Sequence, residues 1–188
     1  YWSEAYVNDH RRLVRFLGRE LSDSPYLAFV DIGAVGNTGG EWYFSDRSTY
    51  DAAGLDDDRY FALVKTFVGM YRTAFPDTRL FISYEAVAKA GARSGEVFKF
   101  LKKHDIGIRD DGLGGWPYPQ RHTSLTEWPM PLFWRDVPVL FEGSGKGGGV
   151  YGWKVQGKQP RKVLEWAFER CHPSFINIGG SETASQKA

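Results

Sequence analysis

The sequence has a single cysteine, no excess of either charge and no long apolar run, and these shortages exclude several classes of protein. Cys171 cannot form a disulfide within the chain and does not suggest a cysteine-ligated metal site, so we expect a buried thiol. Lys and Arg total 24 against 23 Asp and Glu, which lacks the basic excess of nucleic-acid-binding modules. No apolar run approaches the roughly 18 residues of a membrane helix. We predict one domain, residues 1–188, with neither nucleic-acid nor membrane partners.

Motifs of cofactor-dependent and triad enzymes are missing as well. His10, His104 and His172 do not have the spacing of metal ligands. The glycine-rich stretches at 33–40 and 145–149 contain neither G-x-G-x-x-G nor a Walker lysine. No G-x-S-x-G nucleophile elbow occurs. The sequence therefore predicts no metal and no cofactor.

The first residues, Tyr1 to Glu4, lack the basic start and apolar stretch of a signal peptide. We expect them either to follow a cleavage point or to begin within a longer protein. The cellular compartment stays open, with a secreted or periplasmic location slightly favoured.

What the chain does have is a regular alternation of helix and strand patterns. Apolar residues at three- and four-residue spacing predict helices over residues 7–21, 56–74, 97–104 and 158–170. Short apolar runs bounded by turn residues predict strands at 26–32, 79–84, 105–112, 137–141 and 175–179. Five strands alternating with helices predict an α/β fold with a parallel sheet.

Polar side chains recur where these predicted strands end. In a (β/α)8 barrel, catalytic residues come from the carboxyl ends of several strands. The strand-end residues are Glu41, Tyr84 with Glu85, Asp110 with Asp111, Glu142 and Asn177.

Four segments carry a resemblance to a known enzyme family. They are residues 31–42, from Asp-Ile-Gly to Gly-Glu-Trp; 107–112, Gly-Ile-Arg-Asp-Asp-Gly; 139–142, Val-Leu-Phe-Glu; and 175–179, Phe-Ile-Asn-Ile-Gly. Over about residues 5 to 180 the chain resembles the later half of the retaining glycosidase barrels of clan A, particularly β-galactosidase-like members and poorly characterised relatives.

The resemblance implies an α/β fold of the (β/α)8 TIM-barrel type, with this chain covering about the fourth to eighth βα units. The domain would be the C-terminal part of a catalytic barrel, and the missing N-terminal half is expected in the full-length protein. The alternative is a five-stranded domain complete in itself.

The same resemblance implies retaining hydrolysis of a β-linked glycoside in an oligo- or polysaccharide, without a cofactor. Glu41 would be the acid/base and Glu142 the nucleophile. The family usually has Asn before its acid/base, whereas Gly40 stands there in this chain, so Asn37 would have to reach in from the loop. The alternative function is a carbohydrate-binding protein that keeps the scaffold without the chemistry.

Residues at two further strand ends are candidates for contacts with the substrate. Glu85 competes for a catalytic role, and Tyr84 could donate to the nucleophile. Asp110 and Asp111 could accept hydrogen bonds from sugar hydroxyls, or Arg109 could pair with one of them as a structural ion pair.

Loop residues supply the remaining candidates. Aromatic residues make up 16% of the chain, more than a core of this size requires, and aromatic rings also form platforms for the apolar faces of sugars. Trp42 and Trp116 are the favoured stacking residues. His122, in the long loop at about 112–134, could touch substrate, although a solvated loop histidine is the simpler interpretation.

Overall fold

The computed structural model describes residues 2–36, 42, 47–113, 133–143 and 159–177. Contacts divide the chain into two compact units, Tyr1–Gly107 and Ile108–Ala188. Within the described residues, no helix is both long enough and apolar enough to cross a membrane.

The first unit contains two strands and most of the helices. In chain order its elements are α1 (Glu4–Leu21), β1 (Phe29–Asp31), α2 (Arg47–Ala52), α3 (Asp57–Ala74), β2 (Arg79–Ser83), α4 (Glu85–Ala88), a 3-10 turn (Gly91–Arg93) and α5 (Ser94–Lys103).

The two long helices begin at capping side chains. Ser3 accepts a hydrogen bond from the Tyr6 amide at the start of α1, and Asp56 accepts one from the Arg59 amide at the start of α3. These caps satisfy amides that have no partner inside the helix. Both helices therefore start within a few residues of where the sequence pattern predicts.

The helices α1 and α3 pack tightly at Gly18. A Cβ atom added at this position would lie 2.5 Å from the carbonyl oxygen of Ala74, closer than atoms can approach. The absence of a side chain at Gly18 thus permits the contact between the two helices.

The core of the first unit forms around β2 and α3. Strand β2 pairs in parallel with β1, with Val30 opposite Leu80. Phe81 and Ile82 are fully buried. Strand β1 covers only three residues of the predicted 26–32 run, and Tyr26 before it is 94% exposed. An apolar run therefore overstates the length of this strand.

The second unit is built on three parallel strands. Its elements are β3 (Gly107–Leu113), β4 (Val139–Gly143), α6 (Pro160–Cys171) and β5 (Phe175–Asn177). Strand β4 pairs in parallel with β3 on one side and with β5 on the other. Pro160 opens α6 at the position where its missing N–H costs no hydrogen bond.

The α/β class and the parallel strands agree with the structure, but the (β/α)8 TIM-barrel prediction is wrong. The part of the chain that the structure describes contains five strands, whereas a TIM barrel closes with eight. The error has a physical cause, because serial βα units are common to open sheets and closed barrels. A sheet closes into a barrel only when its first strand pairs with its last, and no local sequence pattern indicates that pairing.

Candidate functional site

Glu142, one residue from the end of β4, shares a strand face with Arg109 of β3. The register places Arg109 opposite Leu140. Side chains two residues apart on a strand point to the same side, so Glu142 points to the same side as Leu140 and Arg109. The Nη1 atom of Arg109 donates a hydrogen bond to Oε2 of Glu142 at 3.1 Å.

This ion pair joins a buried cation to an accessible carboxylate. The side chain of Arg109 is 6% exposed and that of Glu142 is 45% exposed. The guanidinium is held in place by its burial, so its hydrogen bond orients the carboxylate without covering it. The result is a carboxylate that is both fixed and open to a ligand.

Asn177 and Phe175 extend the same face onto β5. Asn177 is the register partner of Glu142, and Phe175 is the register partner of Leu140. Phe175 is 38% exposed. An amide and a partly exposed ring thus neighbour the carboxylate, a combination suited to a ligand that has both hydroxyl groups and apolar C–H faces.

Asp110 belongs to the opposite face of the strands. It pairs with Phe141 in the register and is buried, so it does not point the same way as Glu142. Burial, and then the negative charge of Asp110, raise the pKa of the Cys171 thiol at the end of α6. Cys171 is buried and free, which confirms the expectation of a buried thiol.

Glu85 and Tyr84 lie in the first unit, directly after β2. Tyr84 directly precedes α4 without a capping hydrogen bond from its side chain, and Glu85 is the first residue of that short helix. The Oε2 atom of Glu85 lies 3.7 Å from Nζ of Lys89, one helical turn further on. Glu85 therefore makes a local helix ion pair, and its predicted catalytic or binding role stays a prediction.

Trp42 is a core residue of the first unit. Its side chain is fully buried, and its indole N–H donates to the carbonyl oxygen of Ile32 at 2.7 Å. The ring meets those of Tyr60 and Phe67 edge-on, at 6.1 and 6.0 Å between centroids. In this position the ring has no exposed face on which a sugar could stack.

The remaining predicted site residues lie outside the described part of the chain. These are Glu41, Asn37, Trp116 and His122; for Asp111 the structure describes only the backbone, within β3. Among the described residues, no group of three or more His, Cys, Asp or Glu side chains could hold a metal ion.

A cluster of polar side chains from α1 and α3 holds the segment that follows β1. The Tyr71 hydroxyl donates to the Gly33 carbonyl at 2.8 Å, and the Tyr6 hydroxyl donates to the Ala34 carbonyl. His10 Nε2 lies 3.3 Å from the Tyr71 oxygen. Because the Tyr71 proton is directed at Gly33, His10 supplies the proton of this second contact, which requires the Nε2–H tautomer.

The electrostatics of this cluster favour neutral side chains. Burial raises the pKa of Tyr71 to about 12, with the charge of Asp31 acting in the same direction. Burial also lowers the pKa of His10 from its usual 6.5. Both groups are therefore uncharged at neutral pH.

Acid is expected to destabilise the protein partly through His10. Its pKa is lower in the folded chain than in the unfolded chain, so the unfolded chain binds the extra proton. This contribution is fully present above about pH 6.5 and is lost as the pH falls through the lowered folded-state pKa. Urea unfolding at intervals from pH 7 to pH 5 should show a smaller pH slope for His10→Phe than for the wild type.

The matched control is His104→Gln. The pKa of His104 is lowered too, by burial and then by the positive charges of Arg72 and Lys103, so it acts in the same direction. Its ring is half-buried at the end of α5, where it packs edge-on against Phe100 of the same helix, and we expect its substitution to change the slope less. An unchanged slope in His10→Phe would contradict the prediction.

The Arg109–Glu142 pair is expected to couple energetically. Arg109→Met, Glu142→Gln and the double variant form a cycle that measures this coupling by urea unfolding. We expect about 1 kcal/mol or slightly more, because a buried partner strengthens the pair while the exposure of Glu142 screens it. Arg161 and Glu165 on α6 form an exposed pair at 2.6 Å and serve as the control cycle, with about 0.3–0.5 kcal/mol. Equal couplings in the two cycles would contradict the prediction.

Two features of this site were missed from sequence. The sequence pairs Arg109 only with Asp110 or Asp111, and it places Asn177 at a strand end without indicating a role. Their placement beside Glu142 depends on register, which pairs 109 with 140 and 142 with 177. The sequence did contain one useful signal. Successive side chains of a strand point to opposite faces, so Arg109 and Asp110 lie on opposite faces of β3.

Comparison of the chain with protein-family models, curated proteins and solved structures found no match.

Proposed function

We propose that the protein is a glycoside hydrolase that cleaves a β-linked glycoside with retention of configuration. The observation that supports this best is the Arg109–Glu142 pair, which presents an oriented, half-exposed carboxylate at the end of a parallel strand. Glu142 is the proposed nucleophile. Glu41, from the sequence resemblance, is the proposed acid/base.

In the proposed reaction, Oε1 of Glu142 attacks the anomeric carbon while Arg109 holds Oε2. The bond to the leaving oxygen breaks, and that oxygen takes a proton from Glu41. Glu41 then removes a proton from water, and the water oxygen displaces Glu142 from the same carbon. The product keeps its configuration because two inversions occur, and no cofactor or metal takes part.

The neighbouring side chains support a saccharide as the substrate. Asn177 lies beside Glu142, and a side-chain amide can both donate to and accept from hydroxyl groups. Phe175 offers apolar surface on the same face. An oligo- or polysaccharide, with alternating hydroxyl and C–H surfaces, suits both groups. Tyr84, Glu85 and the candidates outside the described residues keep their proposed substrate-binding roles.

Covalent trapping tests the proposal. The protein is incubated with 2-deoxy-2-fluoro glycosides of several β-sugars that carry an activated leaving group, and peptic peptides are analysed by mass spectrometry. We expect one glycosyl adduct, on Glu142, that slowly disappears on dilution. Turnover of aryl β-glycosides accompanied by an adduct on another residue would overturn the assignment of Glu142. Neither turnover nor labelling across the panel would overturn the hydrolase proposal.

A carbohydrate-binding protein without hydrolytic activity is the second candidate. It is favoured by one specific observation, that Gly40 precedes Glu41 where the resemblance leads one to expect an asparagine. Affinity electrophoresis in soluble polysaccharides distinguishes the two functions. Retarded migration together with a failure to label would support the binder.

A further inference from the structure

Three arginines of α1 lie in a row along one side of the helix. Arg11, Arg15 and Arg19 are spaced by four residues, which places them on successive turns of the same face. Like charges at this spacing repel and weaken a helix. Arg11 is bonded to the neutral Asn8 side chain. In the part of the chain that the structure describes, no carboxylate pairs with Arg15 or Arg19.

The row borders a groove between α1 and α3. The groove has a volume of about 250 Å³ and is lined by Arg11, Arg15, Thr66, Gly69, Met70 and Thr73. A neighbouring depression shares Arg15 and Thr73 with this groove and is also lined by Phe16 and Arg19. Phe16 is 50% exposed, and the Arg19 guanidinium lies 5.9 Å from the centroid of its ring. Cationic and apolar surfaces therefore lie side by side along the groove.

Gly69 is the second observation that points to an external partner. It lies in the interior of α3, where glycine lowers helix stability relative to alanine. A Cβ atom added at Gly69 would meet nothing within 4 Å, so packing inside the protein does not require glycine. Gly18 differs, because the space that a side chain would occupy there is filled by Ala74 of α3. A glycine over open space in a groove allows another backbone to approach closely.

We propose that this groove binds an acidic amphipathic helix of a partner protein. A helix that carries Glu or Asp at four-residue spacing matches the arginine row turn for turn. Its apolar side chains would contact the exposed ring of Phe16, and its backbone would pass over Gly69. Helices in grooves are recognised in this way, through anchors at helical spacing.

The positive charge of the arginine row favours an acidic helix over two other possible partners, a second copy of the chain and a nucleic acid. A second copy placed symmetrically would set arginine against arginine, which repels. A nucleic acid is disfavoured because the whole chain carries a formal net charge of only +1 and lacks a general basic excess. The proposal does not depend on the activity of the Glu142 site.

The test uses a set of fluorescein-labelled synthetic helical peptides with Glu at four-residue spacing and Leu on the adjoining face. Binding to the full chain is followed by fluorescence anisotropy. We expect Arg15→Glu to weaken binding at least about tenfold, and added salt to weaken binding to the wild type. The control Lys99→Glu makes the same charge change on α5 and should alter binding less than about twofold.

Gly69→Ala provides the sharper variant because it separates binding from folding. We expect it to raise the urea midpoint, since alanine is the better helix former, and yet to weaken peptide binding at least about tenfold. Gly95 in α5 is also exposed over open space, so Gly95→Ala should raise the midpoint without affecting binding.

Several outcomes would overturn the proposal. They are absence of binding by every acidic peptide, equal binding by wild type and Gly69→Ala, and equal binding of a peptide in which Lys replaces Glu. Another outcome is that single-stranded RNA or vesicles containing phosphatidylserine bind more tightly than every acidic peptide. If Arg15→Glu abolished that binding, the groove would be assigned to RNA or to a membrane surface instead. Concentration-dependent dimerisation that Arg15→Glu abolishes would assign it to a second copy.

Discussion

Glu142→Gln is expected to lower kcat/KM for aryl β-glycosides by roughly 10³-fold or more while leaving the fold intact. The amide is nearly the same size as the carboxylate and can still accept a hydrogen bond from Arg109. It lacks the negative charge and the nucleophilicity needed to form the glycosyl-enzyme bond. The substitution leaves the buried Arg109 guanidinium without its negative partner, so we expect a loss of about 1 kcal/mol of folding stability, small enough for the fold to persist. Initial rates and circular dichroism on the same preparation measure both effects.

Two controls separate this loss from indirect effects. Glu165→Gln removes an exposed carboxylate that pairs with Arg161 on the same helix, α6, so activity should be unchanged. Glu142→Ala with added formate should regain part of the rate, because the small anion can attack the anomeric carbon in the space that the side chain leaves. Wild-type turnover by Glu142→Gln would show that another group performs the displacement.

The same substitution at two other positions assigns the acid/base. Glu41→Gln should reduce the rate most for substrates with poor leaving groups, since these need protonation, and least for activated aryl glycosides. Glu85→Gln should have a small effect if Glu85 serves only its ion pair with Lys89. A larger loss in Glu85→Gln than in Glu41→Gln would exchange their proposed roles.

Helices were the most predictable part of the fold. The long helices α1 and α3 have apolar residues at helical spacing and a serine or aspartate at the start, and these signals are local. The short helix α2 was missed because its six residues carry no apolar period. Helix α4 was missed for the same reason, since one turn is too short to show one.

Strand positions were predictable to within a few residues, but strand partners were not. The carboxyl end of β4 was found from its apolar run and the following Gly, which placed Glu142 at a strand end. Pairing with Arg109 requires knowledge of which residues of β3 and β4 stand opposite each other. Such register joins residues about thirty positions apart, and a shift by one would turn Arg109 to the other face. The barrel prediction failed for the same reason, because pairing between strands that are distant in sequence decides the architecture.

Trp42→Ala is expected to cause the largest loss of stability, about 3–5 kcal/mol. The indole fills space between Tyr60 and Phe67, and its removal would leave a cavity in the core of the first unit. It would also leave the Ile32 carbonyl without its indole donor. Typical domains have only about 5–15 kcal/mol of stability, so this single change could unfold a substantial fraction of the protein. Urea unfolding followed by circular dichroism measures the loss.

Trp42→Phe separates the two contributions of the indole. It keeps an aromatic ring in the core but removes the N–H and part of the ring volume, so the loss should be closer to about 1–3 kcal/mol. The backbone of Trp42 has a positive φ of 64°, a conformation that costs a bulky residue roughly 1–2 kcal/mol. Burial of the ring outweighs this strain, which both variants retain.

Glu41 is the covalent neighbour of Trp42, so we also expect activity to fall in Trp42→Ala at temperatures where the protein stays folded. Equal stability of Trp42→Ala and the wild type would show that the indole is not a core anchor.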